Sequence, residues 1–172
     1  MLAMDVDQLA EIVETMVLQH AYPGYDVRSL RLGLPTAVVN APVRVFRAAL
    51  QNESTVVKLA ALRWFWDRPG DAKRCIANIS QVLGDADEWV RLEAVRTIGR
   101  IGTVEEALAV RVSDLLRDPD PEVRKAAAKT VGKLGCRAEP VIVALKVASG
   151  DPDTEVKWKA QKALRQLGAY LP

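Results

Sequence analysis

The chain has 172 residues, with 24 basic against 22 acidic side chains, a formal net charge of +2, 49% hydrophobic and 27% charged residues. That length holds one domain with a continuous core and falls short of two ordinary enzyme domains, and the composition excludes a disordered tail. No apolar run reaches the roughly 18 residues of a membrane span, Asp5 and Asp7 spoil a signal-peptide reading, and a cytoplasmic protein is expected.

Residues 5–20 place Leu9, Ile12, Val13, Met16 and Val17 on one helical face. They predict an amino-terminal capping helix within residues 1–20, with His20 as a cation at its C-terminal end. An irregular segment, 21–37, follows. Tyr22-Pro23-Gly24-Tyr25 reads as a turn, and Leu30, Leu32 and Leu34 alternate with Arg31 and Gly33 as an extended strip does.

From residue 38 the sequence repeats with a stride of thirty-three, in units 38–69, 70–102, 103–135 and 136–168. The first helix of each unit is predicted at about Ala41–Leu50, Asp71–Leu83, Val104–Leu116 and Glu139–Ala148, with Val43, Ile76, Ala109 and Ile142 in register. An Asp-rich turn leads to the second helix, where Val57, Val90, Val123 and Val156 align without a gap. Lys58, Arg91, Arg124 and Lys157 align next to them, as do Ala61, Ala94, Ala127 and Ala160, then Phe65, Ile98, Val131 and Leu164. The apolar positions form one stripe of a 3.6-residue period. Asp120 and Asp153 stand at N-cap positions, Pro121 at a first helical position, and Gly102, Gly135 and Gly168 at the stops. Thr103 with Glu106 has the spacing of a capping box.

A two-helix unit of this size cannot bury its own apolar face and must stack on its neighbour. The expected fold is all-α: a right-handed α-solenoid of four helix pairs with an amino-terminal capping helix, forming a single domain. The phrase DPDPEVRKAAAKTVGKLG, from Asp118, resembles the HEAT-like repeat of the phycobilisome-lyase type, and the resemblance covers residues 38–168. It implies that the second helix of each pair lines the concave side. Relatives of this kind include bilin lyase subunits, phycobilisome-degradation factors, a metal-dependent hydroxylase, DNA-glycosylase relatives and plain scaffolds, so the fold alone assigns no activity.

The recurring Asp85, Asp118 and Asp151 with Lys58, Arg91, Arg124 and Lys157 predict an ion-pair ladder between successive turns, the carboxylates also capping free N–H groups. Gly99 and Gly132, each costing about 1 kcal/mol inside a helix relative to Ala, predict close helix approach. Trp64 and Phe65 point to the core.

A wheel centred opposite Val123, Ala127, Thr130 and Leu134 gives the expected inner surface. It carries a basic column, Arg63, Arg96, Lys129 and Lys162, and an apolar amino-terminal half made of Leu59, Leu62, Trp66, Leu92 and Val95, with Trp158 in the last unit. An aromatic anchor and a row of cations suit an acidic, amphipathic protein or peptide partner bound without catalysis. The strip Leu30–Leu34 folding back over Leu59, Leu62 and Trp66 is the competing structural account.

With Gly99, Lys125, Ala128, Gly132, Gln161 and Arg165 the wheel has sixteen inner positions, and none is Asp, Glu, His, Cys, Ser, Thr or Tyr, which argues against an enzyme. One histidine cannot build the repeated His-Glu metal site of the hydroxylase relatives, so no metal or cofactor is expected. Cys75 reads as a small core side chain, and Cys136, beside Arg137, as a thiol with a nearby cation. DNA phosphate binding through the basic column is the alternative function, disfavoured by the small net charge. A bilin-lyase or phycobilisome-related role rests on repeat type alone. No membrane association is expected, and the chain is expected to be a monomer or weak homodimer.

Overall fold

The computed structural model describes residues 4–19, 36–102 and 104–169, and every regular element among them is helical. Helix α1, Val6–Gln19, opens with a capping box: Asp5 Oδ1 accepts from the Gln8 N–H at 2.9 Å and Gln8 Oε1 accepts from the Asp5 N–H at 3.1 Å. A single turn, α2 (Thr36–Val39), precedes the helix pairs. These are α3 (Val43–Ala49) with α4 (Thr55–Trp66), then α5 (Pro69–Arg74) and α6 (Ile76–Gln81) with α7 (Glu88–Ile101). They continue as α8 (Glu106–Asp114) with α9 (Pro121–Leu134) and α10 (Glu139–Ala148) with α11 (Thr154–Gln166). The second helices α4, α7, α9 and α11 lie side by side in chain order, and α1 covers α3 and α4. The chain is an α-solenoid, as the thirty-three-residue stride requires. His20, the Tyr22–Tyr25 turn and the Leu30–Leu34 strip lie outside the described residues.

The helix signals act where the sequence puts them. Asp87, Asp120 and Asp153 are N-caps whose side chains accept from the first-turn N–H groups, and Pro121 follows at the first helical position. The burden of stopping falls on Gly102, Gly135 and Gly168, with φ of 88°, 70° and 63°, a region that penalises any side chain with a Cβ. Two expectations shift. The helix expected over Asp71–Leu83 begins at Pro69, whose fixed φ suits a first turn, and breaks at Cys75 (φ −104°, ψ 18°) before a 3₁₀ turn at Val82–Gly84. Helix α8 starts at Glu106 with Glu105 as its N-cap, so Glu106 occupies the first helical position instead of the third that a capping box needs. Thr103 lies outside the described residues.

One continuous core runs through the pairs. At its amino-terminal end, Trp64 stacks on Phe46 with ring centroids 4.1 Å apart and meets Phe65 edge-on at 5.3 Å. The Trp64 indole N–H donates to the Val39 carbonyl at 3.0 Å, and an Arg68 N–H donates to the same oxygen at 3.1 Å. The Arg68 guanidinium also lies over the Trp64 ring at 4.4 Å. Through these bonds α2 is held to α4. Trp64 and Phe65 are both buried, as their register predicts.

Between pairs, small residues set the helix spacing. A Cβ on Gly99 would stand 2.7 Å from Thr130 Oγ1, and one on Gly132 would stand 3.0 Å from Ala163 Cβ and 2.6 Å from Gln166 Oε1. The absence of a side chain therefore lets α7 approach α9, and α9 approach α11, more closely than Ala would allow.

The ladder crosses these same interfaces. Lys58 Nζ donates to Asp85 at 2.6 Å. Arg91 holds Asp118 through two bonds of 2.8 and 2.9 Å while donating to the Asp85 and Ala86 carbonyls of its own turn. Arg124 repeats the pattern with Asp151, at 2.9 and 3.2 Å, and with the Asp118 and Pro119 carbonyls. Each Asp also accepts from the backbone N–H two residues on, at Asp87, Asp120 and Asp153. The hydrogen bonds to Asp118 raise Arg91 above the ordinary guanidinium range, against the effect of its burial. A bidentate, nearly buried Arg–Asp pair is strongly coupled, since removing either partner strands the other charge away from water.

Two stability measurements test this account by urea unfolding. Phe65→Ala should lower stability by about 3–5 kcal/mol, the range for emptying a fully buried aromatic site. Asp118→Ala should cost about 3 kcal/mol or more by leaving Arg91 unpaired. The double variant Arg91→Met with Asp118→Ala should regain part of that loss, whereas full additivity would mean that the pair is uncoupled.

Candidate functional site: a basic groove on the second helices

A groove of about 300 Å³ runs across α4, α7, α9 and α11. Its position follows from the packing. Helices α7 and α9 each lose one side to the first helix of their pair and two more to the second helices before and after them, so a single strip of each stays in contact with solvent. Six cations line the groove: Arg96 and Arg100 from α7, Lys125, Lys129 and Lys133 from α9, and Lys159 from α11. Two carboxylates, Glu122 and Glu155, stand among them.

Both carboxylates meet one lysine. Lys125 Nζ lies 2.5 Å from Glu122 Oε1 and 2.9 Å from Glu155 Oε2, bridging α9 to α11. The hydrogen bond to Glu122 first, and that to Glu155 second, hold Lys125 well above the ordinary lysine range. The remaining cations have weaker compensation. Arg96 pairs with Glu93 at 2.7 Å, and Lys133 Nζ donates to the Gly99 carbonyl at 2.8 Å. Lys129 is exposed and meets no carboxylate among the described residues. At the amino-terminal end the half-buried Trp66 lies under the Arg100 guanidinium, 5.5 Å from the ring centroid.

Of the residues expected on the inner surface, the groove brings together Trp66, Arg96, Gly99, Lys125 and Lys129. Arg63 is half-buried beside Asp67, at 3.5 Å, outside the groove lining. Lys162 and Trp158 are exposed on α11, the lysine Nζ 5.1 Å from the indole centroid, also outside the lining. The expected apolar patch is corrected. Leu59, Leu62, Leu92 and Val95 are buried, because their columns face the next second helix and not solvent. The same column positions in α9 show the contact directly, Lys125 reaching Glu155 of α11.

The expectation that no carboxylate lies on the inner face is corrected as well, since Glu122 and Glu155 line it. The groove strip is rotated by roughly one residue, about 100°, from the expected centre. A wheel that treated three faces as buried instead of one would have found Glu122, Glu155, Arg100, Lys133 and Lys159.

Other chemistry is sparse. Among the described residues no group of His, Cys, Asp or Glu side chains converges as a metal site would. Cys75 is buried, and burial pushes its thiol above the ordinary range, which suits a core side chain and not a nucleophile. Cys136 is partly buried and packs against the core. Among the described residues no helix is long and apolar enough to cross a membrane.

No curated protein matches the chain significantly in sequence. Among solved structures, an engineered protein is similar at 18% identity with a TM-score of 0.59, covering 97% of this chain and 85% of that one. A designed armadillo repeat protein, solved in complex with the peptide (KR)4, is similar at 17% identity with a TM-score of 0.60, covering 96% and 87%. At such identities the likeness concerns the fold alone. The family model for HEAT repeats matches residues 43–111 and 110–170, together most of the length, and the chain belongs to the HEAT-repeat family.

Proposed function

We propose that the chain is a non-catalytic binding scaffold whose groove takes an acidic, amphipathic peptide or protein segment. The observation that supports this most directly is the charge of the groove. Its two carboxylates share Lys125, so Arg100, Lys129, Lys133 and Lys159 present their charge to an occupant with little internal neutralisation. Trp66 supplies an aromatic surface at one end, already in contact with a guanidinium. The designed armadillo protein of similar fold was solved with a strongly basic peptide; the basic groove of this chain favours an acidic occupant by Coulombic complementarity. Arg63, Lys162 and Trp158, beside the groove, extend the surface over which such a partner is steered. The buried Leu59, Leu62, Leu92 and Val95 have no part in it.

The same cations favour a phosphate backbone, and DNA is the alternative partner. The near balance of charge over the chain, +2 in total, gives little of the broad basic footprint that duplex binding uses.

Titration of the protein with an alternating Glu-Leu peptide, followed by Trp fluorescence at low salt, tests the reading. Binding should weaken as salt rises, and Lys129→Glu should lower affinity about tenfold, equivalent to ~1.4 kcal/mol. An equal response to a Lys-Leu peptide, or no effect of Lys129→Glu, would overturn it. Tighter binding of duplex DNA than of the acidic peptide would move the assignment to nucleic acid.

A further inference from the structure

The stacking face that is covered on α4, α7 and α9 is exposed on α11, the last helix among the described residues. The face that α4 turns to α7 carries Leu59 and Leu62, and the face that α7 turns to α9 carries Leu92 and Val95, all buried. On α9 the same columns hold Lys125, bonded to Glu155, and the buried Ala128. On α11 they hold Trp158 and Gln161, and Trp158 is 49% exposed. The ladder stops at the same place. Lys58, Arg91 and Arg124 each reach an Asp twenty-seven residues on. Lys157, the next in register, is exposed and meets no carboxylate among the described residues. Lys159 and Lys162 place their ammonium groups 4.8 and 5.1 Å from the Trp158 ring, so the end face is an indole surrounded by lysines. Val143 and Val147, on α10 of the same pair, are with Trp158 the exposed large apolar side chains among the described residues.

The opposite end has the complementary character. Helix α1 buries Leu9 and Val13 toward α3 and α4, and the stripe opposite them, Asp7, Glu11 and Glu14, is exposed. Asp5 is also exposed, and no Lys or Arg occurs before Arg28. The acidic stripe has the i, i+4, i+7 spacing of one helix face.

We propose that the C-terminal face of α11, centred on Trp158 with Lys157 and Lys162, docks the acidic face of α1 from a second copy of this chain, joining solenoids head to tail. Such a contact is heterologous: each copy contributes a different surface, so addition continues until the assembly closes on itself or runs on as a filament. A tail-to-tail pair would set Lys157, Lys159 and Lys162 against their own copies, and the charge disfavours it. The face adjoins the groove, with Lys159 lining one and standing against Trp158 in the other, and Lys129→Glu distinguishes groove binding from this contact.

Sedimentation of the full chain against concentration and salt tests the contact. The mean mass should rise above the monomer with concentration and fall back as salt is added. A tail variant, Trp158→Ala with Lys162→Gln, and a head variant, Glu11→Gln with Glu14→Gln, should each sediment as monomers with unchanged helical content by circular dichroism. Mixed together they should form a one-to-one dimer and nothing larger, because one intact head then meets one intact tail. A parent chain that stays monomeric at about 1 mM, a level at which even very weak contacts are populated, would overturn the proposal. So would a head variant that associates as the parent does, which would indicate tail-to-tail pairing. Loss of association in Lys129→Glu, with the tail variant still assembling, would place α1 in the groove of its neighbour and overturn it too.

Discussion

A pair of short helices has two apolar faces to cover and only one partner inside its own unit. That constraint generates the rest of the molecule. Each unit of thirty-three residues must press a second side of its helices against the next unit, and the chain answers at three levels: apolar columns such as Leu62 and Val95, glycines where helices come closest, and the Arg–Asp ladder. The ladder also fixes register. Arg91 bonds the carbonyls of its own turn and the carboxylate of the next, so a unit sliding along its neighbour would break a bidentate pair that is shielded from water.

Much of this was legible from residue types alone, because the local rules and the stacking rule favour the same structure. Asp120 followed by Pro121 is a strong local signal for a helix start, and Gly135 for a stop. The stride exposes the ladder, since an Arg and an Asp recurring with the same period must remain neighbours in every copy. What was misplaced depends on how many sides of a helix are covered. A single-helix wheel has one buried centre, whereas α7 and α9 are enclosed on three sides, so Leu92 and Val95 fell on the apparent solvent face and Glu122 and Glu155 on the apparent edge. The break at Cys75 had no comparable signal, as neither Gly nor Pro interrupts Asp71–Leu83.

The groove inherits its charge from the same geometry. With three sides of α7 and α9 committed to packing, the strip that remains, continued on α4 and α11, is where polar residues vary freely from unit to unit. In α9 and α11 it carries Lys129, Lys133 and Lys159 against Glu122 and Glu155, and Lys125 bonds both carboxylates. A chain close to neutral overall thus concentrates positive charge on the surface that its fold leaves accessible.

The column Trp66, Gly99, Gly132 and Arg165 records an order among the units that the valines do not. A Cβ on either glycine would crowd a neighbouring side chain, which sets the two inner units apart from those carrying an indole or a guanidinium at that site. The four copies are thus alike in their core valines and unlike in the room each leaves at this column for its neighbour.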